Sequence, residues 1–253
     1  MNQKIALITG ATSGIGLETA LLLAQNNYNL ILTGRRNDRL ADLQERIQSG
    51  SKVSVLLLNF DIRNRKETES TLESIPREWR AIDLLVNNAG LAAGLAPINS
   101  ADVDDWENMI DTNVKGLLYT SRIVSSWMIE NGKGQIINIS SIAGKESYPN
   151  GSVYCGTKHA VSAISKAMRV ELLPYGIKVS TISPGAVETE FSLVRFRGDK
   201  EKANNVYKGF EPLNAKDVAE TVLFVATRPT HVNIDDLLIM PTSQGSARDF
   251  HRK

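Results

Sequence analysis

The strongest constraint on this chain is an alternation: short β-branched or aliphatic runs, separated by helix-length stretches, repeat from one end to the other. The runs are KIALIT (4–9), NLILTG (29–34), KVSVLLLN (52–59), IDLLVNN (82–88), QIINIS (135–140), IKVSTIS (177–183) and DLLIM (236–240). They are apolar almost without interruption, whereas a strand with one wet face alternates apolar and polar residues. Both faces should therefore be covered, as in a parallel sheet. Helical patterns fill 14–26, 37–48, 64–75, 104–130, 152–173 and 214–227. The alternation predicts right-handed crossovers and an α/β fold: a doubly wound parallel sheet, Rossmann-like, of about seven strands with helices on both faces. No linker, repeat or composition break divides the 253 residues, so a single domain over 1–253 is expected.

Composition narrows the partners. With 29 Lys and Arg against 28 Asp and Glu, the net charge is +1, and no nucleic acid or membrane partner is expected on electrostatic grounds. No run reaches the ~20 apolar residues of a membrane span. The sole cysteine, Cys155, excludes an intrachain disulfide and fits a reducing compartment. MNQKIALITG enters a strand-like run without the charged-then-apolar pattern of a leader, so a cytoplasmic location is expected. His159, His231 and His251 lack metal-ligand spacing, and no metal is expected. The terminal HRK reads as a short solvated tail.

Where the first run hands over to the first helix, TGATSGIG places Gly10, Gly14 and Gly16. Glycines allow a tight turn and close backbone approach, and the amides of the helix start then face a phosphate. The spacing is GxxxGxG rather than GxGxxG, so position after the first strand carries the reading of dinucleotide binding. The second run ends in Gly34, followed by Arg35 and Arg36, with no carboxylate until Asp38. An acid at such a strand end selects NAD, whereas an arginine accommodates a 2′-phosphate through charge-assisted, often bidentate bonds. The expected cofactor is NADP(H). How the two arginines divide the work is left open by the sequence.

Further along, Tyr154 and Lys158 in YCGTK are spaced i, i+4 on a helix and share a face. A phenol titrates near ~10, and a neighbouring ammonium is expected to lower that value. Ser141 ends the fifth run, thirteen positions before Tyr154, where a hydroxyl could donate to a carbonyl oxygen developing charge. Ser140 competes for this role, and the spacing favours Ser141. Asn113, in MIDTNVKG, is polar among apolar neighbours. A helix-bending role, a held water and a satisfied buried amide are all consistent with it.

TGATSGIG, NNAG (87–90), Asn113, Ser141 and Tyr154-x-x-x-Lys158, in this order, resemble the short-chain dehydrogenase/reductase family over essentially the whole chain. The resemblance implies that Gly10, Thr12, Ser13, Gly14, Ile15 and Gly16 form the cofactor turn. It implies cofactor contacts from Asp61 and Ile62 in FDIRN, from Asn88, and from Pro184, Gly185, Val187 and Thr189 in PGAVET. It makes Tyr154 the proton donor or acceptor, Ser141 the carbonyl-orienting hydroxyl and Lys158 the residue that holds the nicotinamide ribose and tunes the tyrosine. Asn113 then supports a water relay to that lysine. A narrower similarity, in WENMIDTNVKGLLY, TEFSLVRFRGD and HVNIDDLLIMPTSQ, is to NADP-dependent 3-hydroxy acid dehydrogenases that also act on serine and allo-threonine. It implies a small-molecule hydroxy or oxo acid substrate and a homo-oligomer, commonly a tetramer. The rival readings are a reductase of carrier-bound 3-oxoacyl thioesters and a non-catalytic NADP(H)-binding sensor.

The charged stretch from about 189 to 213 follows the sixth run, at the end of the sheet where such folds bind ligands. It reads as a substrate lid or as a variable surface excursion. If the substrate is a carboxylate, a cation should meet it. Arg195 is the favoured candidate, with Arg197 and Lys145 as alternatives.

Overall fold

The computed structural model describes residues 3–253. Its strands are β1 (Ile5–Ile8), β2 (Asn29–Gly34), β3 (Val55–Asn59), β4 (Ile82–Asn87), β5 (Gln135–Ile139), β6 (Lys178–Pro184), β7 (Val187–Glu188), β8 (Leu213–Asn214) and β9 (Asp236–Ile239). Seven of them form one parallel sheet in the order β3-β2-β1-β4-β5-β6-β9. The order reverses between β1 and β4. Doubly wound sheets open a crevice at this point, beyond the carboxyl ends of the strands.

The helices are α1 (Gly14–Gln25), α2 (Asn37–Gly50), α3 (Arg65–Glu73), α4 (Val103–Ile110), α5 (Leu117–Asn131), α6 (Ser152–Leu172), α7 (Glu190–Arg195), α8 (Lys200–Asn205) and α9 (Ala215–Ala226). Because strand side chains alternate between faces, each apolar run feeds two cores. Ala6, Ile8, Leu30, Leu32 and Val86 pack with Leu23 of α1, Leu43 of α2 and Val222 of α9. Ile5, Leu7, Ile31, Leu85 and Ile136 pack on the other side with Leu72 of α3, Val124 and Met128 of α5, and Leu172 of α6. This double burial is why the runs show no polar alternation. At the sheet edge β9 is the exception, half-exposed along its length.

The structure refines three expectations. The 104–130 pattern is not one helix: a wide π-helical turn, Asp111–Gly116, separates α4 from α5. The 189–213 segment, charged and without a strand or helix pattern in the sequence, carries α7 and α8, and β7 pairs with β8 at its base. The HRK tail is exposed, as expected, and is also tied to the body. Arg252 lies over Phe210 at 5.0 Å and Phe250 at 5.3 Å, and Lys253 N donates to Gly209 O at 2.8 Å. No helix among the described residues is long and apolar enough to cross a membrane.

Candidate active site

The crevice at the reversal is a cleft of about 320 Å³. Gly10 turns the chain out of β1 with φ +67, and a Cβ there would stand 2.9 Å from the Ala89 Cα. A Cβ on Gly16 would collide with the Asn88 amide nitrogen and the Gly10 carbonyl. That space is taken because Asn88 Nδ2 donates to Thr9 O (2.9 Å) and Gly10 O (3.1 Å), lacing the glycine turn to the segment after β4. Helix α1 starts at Ser13 without a side-chain cap. Its first amides therefore lack a side-chain partner and face the cleft, an arrangement suited to an anion.

The two arginines go different ways. Arg36 donates to Thr12 Oγ1 from Nε (3.2 Å) and Nη2 (2.9 Å), and to Ser13 Oγ at 3.0 Å. Its Nη1 meets Glu190 at 3.0 Å. Arg35 instead leans toward Asp61 at 3.8 Å with its side chain 56 % exposed. Burial of Asp61 opposes ionisation, but hydrogen bonds from Arg63 and the nearby Arg35 outweigh it and hold the carboxyl below its usual value. A third cation was missed in the sequence: Arg39, one turn into α2, meets the same Glu190 at 2.7 Å. The signal was present in RRNDR, since 36 and 39 are i, i+3 neighbours.

At the other end of the cleft, β5 and α6 bring Ser141, Tyr154 and Lys158 together. Ser140 and Ser141 separate cleanly. The Ser140 hydroxyl is engaged with the Lys158 carbonyl at 3.1 Å, while Ser141 Oγ accepts from Ala143 N at 3.1 Å and donates to Pro184 O at 3.5 Å. Lys158 Nζ donates to Ile139 O at 3.0 Å, and burial lowers its pKa to about 8. Contrary to expectation, the Tyr154 phenol is raised. Burial is the main cause, the neighbouring Tyr148 adds to it, and Ser141 and Arg195 pull the other way. Asn113 sits in the wide turn and satisfies its amide twice on Leu91, accepting from N and donating to O, both at 2.8 Å. It also donates to Thr157 Oγ1 at 3.0 Å, beside Lys158.

Tyr154 is roofed by the segment after β6. Phe191 packs on its ring at 5.8 Å between centroids, and Arg195 lies over it with the guanidinium carbon 5.6 Å from the centroid. The sequence marked neither Phe191 nor Tyr148, whose hydroxyl accepts from Arg195 at 3.3 Å. The three candidate cations are now distinguishable. Lys145 pairs with Asp236, and Arg197 with Asp102 and Asp105. Arg195 instead donates to the Gly94 carbonyl at 3.1 Å and meets no carboxylate among the described residues.

Thus Gly10, Thr12, Ser13, Gly14, Ile15, Arg35, Arg36, Asp61, Ile62, Asn88, Ser141, Tyr154, Lys158, Pro184, Gly185, Val187 and Thr189 line the cleft, Gly16 and Asn113 do not, and Arg195 lines a smaller second pocket that shares Tyr154 with it. No cluster of His, Cys, Asp and Glu suited to a metal occurs among the described residues. A reversal-point cleft with uncapped helix-start amides at one end and a Ser–Tyr–Lys set at the other is the arrangement of a nucleotide-dependent oxidoreductase fold. The chain belongs to the short-chain dehydrogenase family, whose model matches residues 4–199.

The comparisons narrow this further. The chain is 44% identical over 254 residues to an NADP-dependent 3-hydroxy acid dehydrogenase of Schizosaccharomyces pombe, covering 100% of this chain and 98% of that protein. It is 46% identical over 244 residues to the NADP-dependent 3-hydroxy acid dehydrogenase YdfG of Salmonella typhi, covering 96% and 97%. Among solved structures, the closed form of serine dehydrogenase complexed with NADP+ matches with a TM-score of 0.92 at 44% identity, over 98% of this chain and 100% of that one.

Proposed function

We propose that this chain is an NADP(H)-dependent dehydrogenase of small 3-hydroxy acids, with serine, allo-threonine and 3-hydroxycarboxylates as the substrate class. The observation that carries it is Arg195, a cation without a carboxylate partner among the described residues, lying across the ring of Tyr154. A thioester substrate has no carboxylate for that cation, which sets the 3-oxoacyl reading aside. A pure sensor has no use for a proton-transferring tyrosine beside a buried lysine.

The cleft fits a phosphorylated dinucleotide: uncapped α1 amides face the pyrophosphate position, and Arg36 with Arg39 holds a carboxylate where a 2′-phosphate would sit. Bound there, NADP(H) would supply the hydride acceptor or donor for the substrate's C3. Gly10, Asn88, Asp61, Ile62 and the 184–189 segment shape the cradle. Ser141 donates to the substrate oxygen and fixes it against Tyr154. Burial keeps the phenol protonated, as reduction requires of a proton donor; Ser141 and Arg195 ease its release, as oxidation requires. Lys158 sets a positive charge beneath the site, and Asn113 with Thr157 stands ready to support a water relay to it. Arg195 takes the substrate carboxylate.

We also assign the chain one catalytic domain with 189–213 as its lid, a cytoplasmic location and a homo-oligomeric state, most simply a tetramer. Exposed Ile110, Leu118, Val170 and Leu173 on α4, α5, α6 and the turn that follows α6 support the last of these. The test is an oxidation screen with NADP and NAD side by side over 3-hydroxy acids and plain alcohols. Turnover confined to NADP with 3-hydroxy acids is expected. Equal turnover of uncharged alcohols would overturn the substrate class, and preference for NAD the cofactor.

A further inference from the structure

The proposed phosphate cradle already has an anion in it, and that anion belongs to the protein. Glu190, the first residue of α7, places both carboxylate oxygens on Arg39 Nη1 (2.7 and 2.8 Å) and one on Arg36 Nη1 (3.0 Å). Arg36 is at the same time held by the Thr12 and Ser13 hydroxyls of the glycine turn. The cradle therefore unites three parts of the chain: the α1 start, the α2 start and the lid. Two cations at the start of α2 oppose its dipole, and the Glu190 carboxylate relieves them.

We infer that Glu190 is a built-in competitor for the 2′-phosphate of the coenzyme, which displaces it from Arg36 and Arg39 and so unpins α7. This rests on the NADP(H) reading above. The side chains of Glu190, Arg36 and Arg39 are 43%, 39% and 40% exposed, and ion pairs at that exposure are individually weak. A phosphate monoester brings nearly two negative charges and three acceptor oxygens against one charge and two oxygens. The exchange therefore favours the phosphate at neutral pH. It also couples the two ends of the cleft, because α7 carries Phe191 and Arg195, both packed on Tyr154. By linkage, whatever holds α7 down against the arginines weakens phosphate binding by the same factor.

The test uses adenosine 2′,5′-bisphosphate as the phosphate-bearing probe and 5′-AMP as its phosphate-free control, in calorimetric titrations of the wild-type chain and Glu190→Gln. The variant keeps the side chain's size and removes its charge. The bisphosphate should bind the variant roughly three- to tenfold more tightly than the wild type, with 5′-AMP unchanged as the check on fold. In the wild type, the bisphosphate should speed amide exchange over 190–196. Equal or weaker bisphosphate binding by the variant, or slower exchange in the wild type, would overturn this inference while leaving the cofactor reading intact. A wild type that binds the bisphosphate no better than 5′-AMP would overturn both.

Discussion

Arg195 and Tyr154 lie face to face, the guanidinium carbon 5.6 Å from the phenol ring centroid. Arg195 is held there by a two-way backbone-and-side-chain link to Gly94: Gly94 N donates to Arg195 O at 3.0 Å, and Arg195 Nε donates to Gly94 O at 3.1 Å. Under the proposed reading, a cation anchored in this way beside Tyr154, with no carboxylate partner among the described residues, would position a negatively charged substrate. Replacing it by alanine should raise KM for a 3-hydroxy acid about ten- to hundredfold, as expected for a lost hydrogen bond to a charged group. An uncharged alcohol should be affected less than threefold on the same scale. Steady-state kinetics on the two substrates check this, and equal effects would remove Arg195 from substrate binding.

Tyr154→Phe removes only the hydroxyl. Turnover should fall at least ~10²-fold, the lower end of what a positioned acid/base contributes. NADPH affinity, read from fluorescence titration, should stay within about twofold, because the phenol ring and its packing on Phe191 remain. A variant that keeps near-normal turnover refutes the proton role.

The unequal placement of the arginines gives a sharper contrast than their side-by-side position in the chain. Arg36→Ala should weaken NADPH about ten- to hundredfold through loss of charge-assisted bonds, while leaving NADH nearly unchanged. Arg35→Ala, exposed and turned toward Asp61, should have the smaller effect. Titration of both variants with both nucleotides measures the difference. A larger loss at Arg35 would reassign the cradle.

Burial of Lys158 makes stability depend on pH. Its folded pKa is about 8 against an ordinary 10.5, so from about pH 8 upward the unfolded chain binds more protons than the folded one. Stability therefore rises with pH in that window, by an amount on the order of 1 kcal/mol per pH unit. The raised Tyr154 phenol acts in the opposite sense, costing stability as pH passes 10, the ordinary phenol value. Urea unfolding of the cofactor-free protein between pH 7.5 and 9.5 should show the rise, and Lys158→Met should flatten it.

Gly16→Ala places a methyl against the Asn88 amide and the Gly10 carbonyl, one of them backbone. Overpacking of this kind costs about 1–3 kcal/mol, a Tm loss of roughly 2–12 °C for a chain of this size. Nucleotide affinity should fall with it, since the displaced groups shape the turn. Thermal melts and NADPH titration on one sample measure both.

The sheet was legible because each apolar run had to satisfy two cores at once, which leaves an unmistakable signature in the sequence. The interruption at Asp111–Gly116 was not. A wide turn adds one residue without changing residue character, and Asn113 looks the same in either helix geometry. Arg39 was not legible because the strand-end pattern stops at Arg36, whereas the Glu190 contact extends one turn into α2. The direction of the Tyr154 shift depends on burial beneath Phe191 and beside Tyr148, contacts made across 37 and 6 residues of chain that no local pattern records. The tail illustrates the same limit: Arg252 finds its place only because Phe210 and Phe250 come together.

Asn113 has a consequence of a different kind. By accepting from Leu91 N and donating to Leu91 O at equal distances, its side-chain amide imitates a peptide unit and makes a single rung with the segment that follows β4, which ends at Asn87. Aspartate, though the same shape, supplies only half of that rung, and leucine none. The site's geometry therefore relies on a side chain acting as main chain, a substitute that the genetic code provides only in asparagine and its longer homologue.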